Sequence, residues 1–186
     1  MKTIGILIFD DVEELDFIGP LEVFGMASRH GADCRAVVMA VERKEIRCRY
    51  DLRVMPEFTL DDAPAIDFLI VPGGRGARTH ARSDPKILEF VRKQKGFVAS
   101  VCTGALILSS AGLLNGRTAT THHSAFDLLR ENSQIDVREG ARFIIHDRVA
   151  TSAGVSAGID LALELVRREW GPSVAEATAR EIEWKT

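Results

Sequence analysis

Several things that define whole classes of protein are missing from, or scarce in, this 186-residue sequence. Cysteine occurs three times, as Cys34, Cys48 and Cys102, and never as Cys-x-x-Cys. Three thiols cannot all pair within one chain, so a disulfide framework is excluded and a reducing, cytoplasmic setting is expected. Basic residues are not in excess: 24 Lys and Arg stand against 27 Asp and Glu, a formal charge of −3. The electrostatic footprint of a nucleic-acid partner is therefore absent. No Gly-x-Gly-x-x-Gly is present, and Pro72-Gly73-Gly74-Arg75-Gly76 lacks the trailing Lys-Ser/Thr of a phosphate-binding loop. The first apolar run, Ile4–Phe9, is too short for a signal-peptide core and meets Asp10 and Asp11 at once. Residues 96–116 carry no charge and could span a bilayer by length. Ser100, Thr103, Ser109, Ser110, Asn115 and several glycines interrupt that stretch, so it reads as a buried strand followed by a buried helix, and no membrane partner is expected. Repeats, linkers and low-complexity segments are also lacking.

What is present is an ordinary globular balance, 46% apolar and 27% charged. One domain over 1–186 is expected, which at this size hides roughly 70% of the surface of its unfolded chain and needs no staples. Short apolar runs alternate with helical periodicity. Strands are expected at Ile4–Phe9, Cys34–Val41, Asp67–Val71, Phe97–Val101, Thr118–Thr121, Ile135–Arg138, Phe143–Ile145 and Val149–Thr151. Helices are expected from Asp16 to about His30, from Pro85 to about Lys95, and over Thr103–Leu114, Ser124–Glu131, Ser156–Glu169 and Pro172 to about Trp184. Ser83-Asp84-Pro85 is a helix start, with a capping side chain and a first-turn proline. Arg43–Pro56 reads as a polar hairpin with Ile46 and Val54 inward. Strands alternating with helices imply right-handed crossovers, a mostly parallel sheet covered on both faces, and a functional crevice at the strands' carboxyl ends.

Three such ends carry chemistry: Phe9-Asp10-Asp11 leading to Asp16, Pro72-Gly73-Gly74, and Ser100-Val101-Cys102-Thr103-Gly104. A strand running into a helix through Val-Cys-Thr-Gly has the layout of a nucleophile elbow. A helix-start position favours thiolate and can lower a cysteine to about 3.5–7.5; the alternative is a buried structural thiol. Cys34 and Cys48 read as structural. Backbone N–H groups of Gly73, Gly74 and Thr103 could stabilise developing negative charge. Asp16 lies among Leu15, Phe17 and Ile18, where desolvation raises a carboxyl's pKa and a neighbouring thiolate raises it further. Asp10, Asp11, Glu13 and Glu14 read as a solvated acidic helix start. His122 either pairs with Cys102 as a base or satisfies a buried polar network. His30, His80 and His146 read as structural, and adjacent His122 and His123 lack a third ligand, so no metal is expected.

Taken together, Phe9–Asp16 with Gly19–Phe24, Val71–Gly74, Ser100–Ala105, Ala111–His122 and Thr151–Asp160 resemble the ThiJ/PfpI superfamily. Within it the sequence is most similar to the isonitrile hydratase branch and to the amidotransferase-like domains of some transcription regulators. The resemblance covers nearly the whole chain. It implies a flavodoxin-like three-layer sandwich, usually homodimeric, with Cys102 as nucleophile, Asp16 as its acidic partner and no cofactor. Thr103 stands where the protease-like branch has histidine, which weakens a peptidase triad. Asp16 matches the hydratases, whereas many glyoxal-acting or oxidation-sensing members carry Glu there. His123 replaces a typical Trp, and Ser152-Ala153-Gly154 is poorer in glycine than the hydratase run. Ala153, Gly154, Val155, His122 and His123 are therefore expected to shape a different pocket.

The resemblance leads to three expected functions. The first is a hydro-lyase adding water to an isonitrile to give an N-substituted formamide, with a small-molecule substrate and Cys102 and Asp16 catalytic. The second is a glyoxalase or deglycase acting on α-oxoaldehydes, with His122 or His123 as base. The third is a non-catalytic redox or ligand sensor. Regulators of this kind carry a helix-turn-helix after the domain, for which residues up to Thr186 leave no room. Sensing would then rest on reversible oxidation of Cys102.

Overall fold

The computed structural model describes residues 1–185. Its elements run in chain order: β1 (Lys2–Leu7), α1 (Glu14–Arg29), β2 (Cys34–Ala40), β3 (Ile46–Arg47), β4 (Arg53–Val54), β5 (Phe58–Thr59), β6 (Phe68–Val71), α2 (Arg75–Arg78), α3 (Pro85–Lys93), β7 (Phe97–Ser100) and α4 (Gly104–Ser110). There follow β8 (Thr118–Ala119), α5 (Phe126–Arg130), β9 (Asp136–Val137), β10 (Phe143–Ile145), β11 (Val149–Ser152), α6 (Ala157–Trp170) and α7 (Pro172–Glu181). Seven strands form one sheet in the order β10-β11-β7-β6-β1-β2-β5. Every pairing in it is parallel except β10 with β11.

The apolar runs explain the centre of this sheet. All four residues of β6, Phe-Leu-Ile-Val, are buried, as strands covered on both faces must be. Helices α1, α6 and α7 pack together against one face, and α2 to α5 gather around α4 on the other. This is the three-layer α/β sandwich expected. The uncharged stretch 96–116 divides into β7 and α4, and no helix of the described residues is long and apolar enough to cross a membrane.

Local chemistry sets several boundaries. Asp84 accepts hydrogen bonds from the amides of Lys86 (2.8 Å) and Ile87 (3.2 Å), with Pro85 opening α3. The hairpin β3–β4 pairs Ile46 with Val54, as expected. Several boundaries differ from expectation, β5 was not expected at all, and three of the differences bear on the site. The segment Thr118–Thr121 contributes only β8, which pairs with β9 in a separate two-stranded ribbon. The helix expected over Thr103–Leu114 spans only Gly104–Ser110, starting one residue later after the turn that lifts Cys102 and ending four residues earlier, just before Gly112 with its φ of +79°. The glycine-rich loop after β6 turns at once into the short helix α2.

Candidate active site

Cys102 sits between β7 and α4 with φ +57°, in the left-handed region that non-glycine residues seldom occupy. Its surroundings hold it there. The Cys102 amide donates to the Ala153 carbonyl (3.2 Å), and the Cys102 carbonyl accepts from Thr121 Oγ1 (2.8 Å). α4 can follow so closely only because residue 104 is glycine; a Cβ there would overlap the Val71 carbonyl oxygen. The elbow expected from the sequence is therefore built from β6, β7, β11 and the segment after β8 together. Among the described residues five non-glycines have left-handed φ, and three of them, Asp11, Cys102 and Val155, line one cavity of about 630 Å³. Backbone strain of this kind costs about 1–3 kcal/mol per residue and gathers at functional sites.

Asp16, in the first turn of α1, is completely buried beside Cys102. Its Oδ2 accepts from the Gly73 amide (2.9 Å), while its Oδ1 is buried with no hydrogen-bond partner among the described residues. Burial raises the Asp16 carboxyl to about 7, against the opposing pull of the Gly73 N–H and with a further push from the Glu13 charge. The Cys102 thiol is pushed up to about 12, first by burial and then by the negative charge of Asp16. The N–H groups of Thr103 and Val155 face the sulfur and act in the other direction. This corrects the expectation of a thiol lowered by a helix start: α4 begins two residues later, and desolvation outweighs its partial charge. The two acids are one coupled unit. Above about pH 7 the pair carries a single negative charge, and moving the thiol proton to Asp16 places that charge on sulfur.

The backbone donors are also redistributed. Gly73 and Gly74 were expected to leave their amides free for developing charge, but neither is free. Gly73 N–H is taken by Asp16, and Gly74 N–H by Thr103 Oγ1 (2.9 Å), whose hydroxyl in turn donates to the Gly74 carbonyl (3.1 Å). The amides that remain directed at the sulfur are those of Thr103 and Val155. Val155 was expected only as a wall of the pocket, and its backbone contribution has no sequence signal.

His122 lines the cavity, and its Nδ1 accepts from the Ser124 amide (3.2 Å) and meets Ser124 Oγ (2.8 Å). No hydrogen bond joins it to Cys102 among the described residues. Burial lowers its pKa, followed by the charges of His123, Arg78 and Arg49, so the ring is neutral at neutral pH. His123 stacks on it with centroids 4.2 Å apart. Gly154 lies against the same ring, and a Cβ there would overlap His122 Cδ2. Ala153 serves through its carbonyl alone. Cys34 and Cys48 are buried elsewhere with thiols raised by burial to about 11.

The remaining wall was not foreseen. Glu13, expected at a solvated helix start, is 9% exposed and bonded to Arg49 (3.2 Å) from the β3–β4 hairpin. Glu14 accepts from the Tyr50 amide (2.6 Å) and fastens the same hairpin to α1. Arg75 and Arg78 of α2 complete the rim. An acidic loop followed 30–40 residues later by an Arg-rich hairpin was the available signal. Among the described residues no three His, Cys, Asp or Glu side chains are grouped as a metal ion would need.

Comparison with known proteins agrees with this geometry. The DJ-1/PfpI family model matches residues 2–168. The chain is 34% identical over 184 residues to an isonitrile hydratase of Pseudomonas putida, covering 97% of this chain and 78% of that protein. It is 29% identical over 142 residues to the glutathione-independent glyoxalase DJR-1.2 of Caenorhabditis elegans, covering 74% of each. The crystal structure of a ThiJ/PfpI family protein from Pseudomonas syringae superposes on all of this chain and 76% of its own, with a TM-score of 0.90 at 29% identity. With the sheet order, the strained cysteine elbow and the buried carboxyl beside it already in place, these matches make the chain a member of the DJ-1/PfpI family.

Proposed function

We propose that this protein is an enzyme that adds water to an isonitrile, giving an N-substituted formamide, with Cys102 and Asp16 as its catalytic residues. The observation that carries the reading is the buried pair itself: a carboxyl raised to about 7 by burial beside a buried thiol, with no histidine bonded to the sulfur among the described residues. An isonitrile needs a nucleophile and a proton delivered to the same carbon, which is what such a pair supplies. The Cys102 thiolate forms a C–S bond to the terminal carbon, and protonated Asp16 delivers its proton to that carbon, leaving a thioimidate and an Asp16 carboxylate. The carboxylate takes a proton from water as the hydroxyl adds to the thioimidate carbon, then passes it to nitrogen. Deprotonation of the new hydroxyl by Asp16 expels the thiolate as the formamide forms, and the starting pair is restored. Thr103 and Val155 amides meet the charge on sulfur at both ends of the cycle. The identity to the Pseudomonas putida isonitrile hydratase supports the same reaction.

Incubation with cyclohexyl isocyanide, followed by formamide absorbance, tests this. Turnover is expected from the natural sequence and none from Cys102→Ala. Unchanged turnover by that variant would defeat the mechanism, and none by the natural sequence would defeat the substrate. A second reading, a glyoxalase, is favoured by one observation: His122 lines the same cavity as a neutral base. Lactate formation from methylglyoxal, lost on His122→Gln, would replace hydration with that reaction. The reading includes a homodimer. Leu15 and Ile18 on α1 and Tyr50, Leu52 and Met55 of the hairpin region that Glu14 fastens to it are large apolar side chains left exposed, which supports that part of the reading.

A further inference from the structure

Three arginines line the cavity that Cys102 faces, and they are not alike. Arg49 is neutralised by Glu13 at 3.2 Å. Arg78 spends its guanidinium on neutral acceptors, the Ser124 carbonyl (3.2 Å) and Ser124 Oγ (2.7 Å). Arg75 has no carboxylate within ion-pair distance among the described residues, and neither has Arg78. The two stand three apart on α2, hence on one side of that turn, and the turn begins directly after the Gly73-Gly74 segment that grips Asp16 and Thr103. The other carboxylate on the lining, Asp11, pairs with neither of them. A chain of net charge −3 thus keeps two unpaired guanidinium groups together at the one cavity that contains its reactive thiol. Elsewhere on this molecule arginines are commonly met by carboxylates, as at Arg43–Asp62, Arg53–Glu45 and Arg130–Asp127. Guanidinium groups held at a concave site match carboxylates geometrically as well as electrostatically, since the planar fork can donate two parallel hydrogen bonds. The charge of Arg78 is one cause of the lowered His122 pKa in the same cavity.

We propose that the cavity selects a substrate carrying a carboxylate, which Arg75 and Arg78 bind while the electrophilic carbon reaches Cys102. That the electrophile is an isonitrile rests on the hydration reading above; the preference for an anion does not. The first arm of the test compares 3-isocyanopropanoate with its methyl ester, following the formyl proton of the product by NMR. A charge-assisted contact is worth enough that kcat/KM should favour the acid by about tenfold or more. Arg75→Gln and Arg78→Gln should each remove most of that preference. Lys86→Gln, which changes the net charge equally from the exposed start of α3, should leave the ratio as it was. Equal turnover of acid and ester overturns the anion site while leaving hydration intact. Turnover of neither defeats hydration, and the anion site is then decided by the second arm. There Cys102 is alkylated with iodoacetate or iodoacetamide, and the two rates are read by intact mass. Iodoacetate should be the faster, with the ratio falling in both arginine variants. Faster reaction of iodoacetamide in all three proteins overturns the proposal.

Discussion

Replacing Asp16 by Asn should stabilise the protein, and by an amount that depends on pH in a way few other substitutions could imitate. In the unfolded chain this carboxyl ionises near its ordinary value of 3.8, whereas in the folded protein burial holds the proton until about 7. The folded state therefore binds more protons than the unfolded state between those values, and stability falls as pH rises through the interval. Below pH 3.8 both states are protonated and the cost is nil; above 7 both are ionised and the cost is complete. At about 1.4 kcal/mol per pH unit, the full penalty is roughly 4 kcal/mol, of which about 1.6 is already present at pH 5. Asn cannot ionise, and its carbonyl oxygen can keep the hydrogen bond from Gly73. The loss of whatever Asp16 offers to Cys102 shifts the comparison by a constant. The quantity to measure is thus the change in the difference: Asp16→Asn should gain about 2–3 kcal/mol on the natural protein between pH 5 and pH 8. Urea unfolding at both pH values, with equal m-values, reads it directly. A difference that is the same at both pH values, or one that shrinks toward pH 8, would refute a carboxyl held protonated by burial. Marginal stability given up at this one side chain is what a site that needs a protonated acid near neutrality should show.

The same pair governs reactivity. Iodoacetamide labelling of Cys102 should rise with pH to about 7 and then level off in the natural protein, as Asp16 ionises, whereas Asp16→Asn, which has no carboxyl to titrate there and no negative charge raising the thiol, should lose that inflection and go on rising with pH. Coincident profiles would remove Asp16 from thiol activation. Mild peroxide should convert Cys102, which lines an open cavity, to sulfinate before it touches Cys34 or Cys48, which are buried away from that cavity with thiols raised to about 11; equal oxidation by peptide mass spectrometry contradicts this. Thr103→Val keeps the shape but strips the hydroxyl that satisfies both the amide and the carbonyl of Gly74. A loss of about 1–3 kcal/mol by denaturant unfolding is expected, and less than about 0.5 would show that the bridge matters little. Gly104→Ala drives a methyl into the Val71 carbonyl and should either lower the melting temperature by several degrees or displace the elbow and abolish Cys102 labelling; a variant normal in both refutes the packing argument.

The parts of this molecule that could be read in its sequence are those decided within a few residues. Four consecutive apolar residues at Phe68–Val71 can hardly be anything but a strand buried on both faces, and Asp84-Pro85 carries its cap and its fixed φ in adjacent positions. The cysteine elbow belongs to this class as well, since a strand, a lone thiol and small residues stand in direct succession. What escaped is decided between segments. Whether the Cys102 thiol is lowered or raised depends on how much of it is buried and on a carboxylate 86 positions away, quantities to which the local Cys-Thr-Gly pattern is blind. Gly73 and Gly74 looked like free donors because their acceptors, Asp16 Oδ2 and Thr103 Oγ1, lie 57 and 29 residues off. Glu13 looked like one more solvated acid of a helix start until the hairpin brought Arg49 against it. The arginines of α2 illustrate the limit most clearly. An Arg-Gly-Ala-Arg run is unremarkable as sequence, since any exposed helix could carry it. Its meaning comes from two facts of position: the turn after Gly74 sets both arginines on the wall of the cavity that Cys102 lines, and among the described residues no carboxylate meets them. A charge left unpaired at a reactive cavity is a statement about the missing partner, and only a structure can make it.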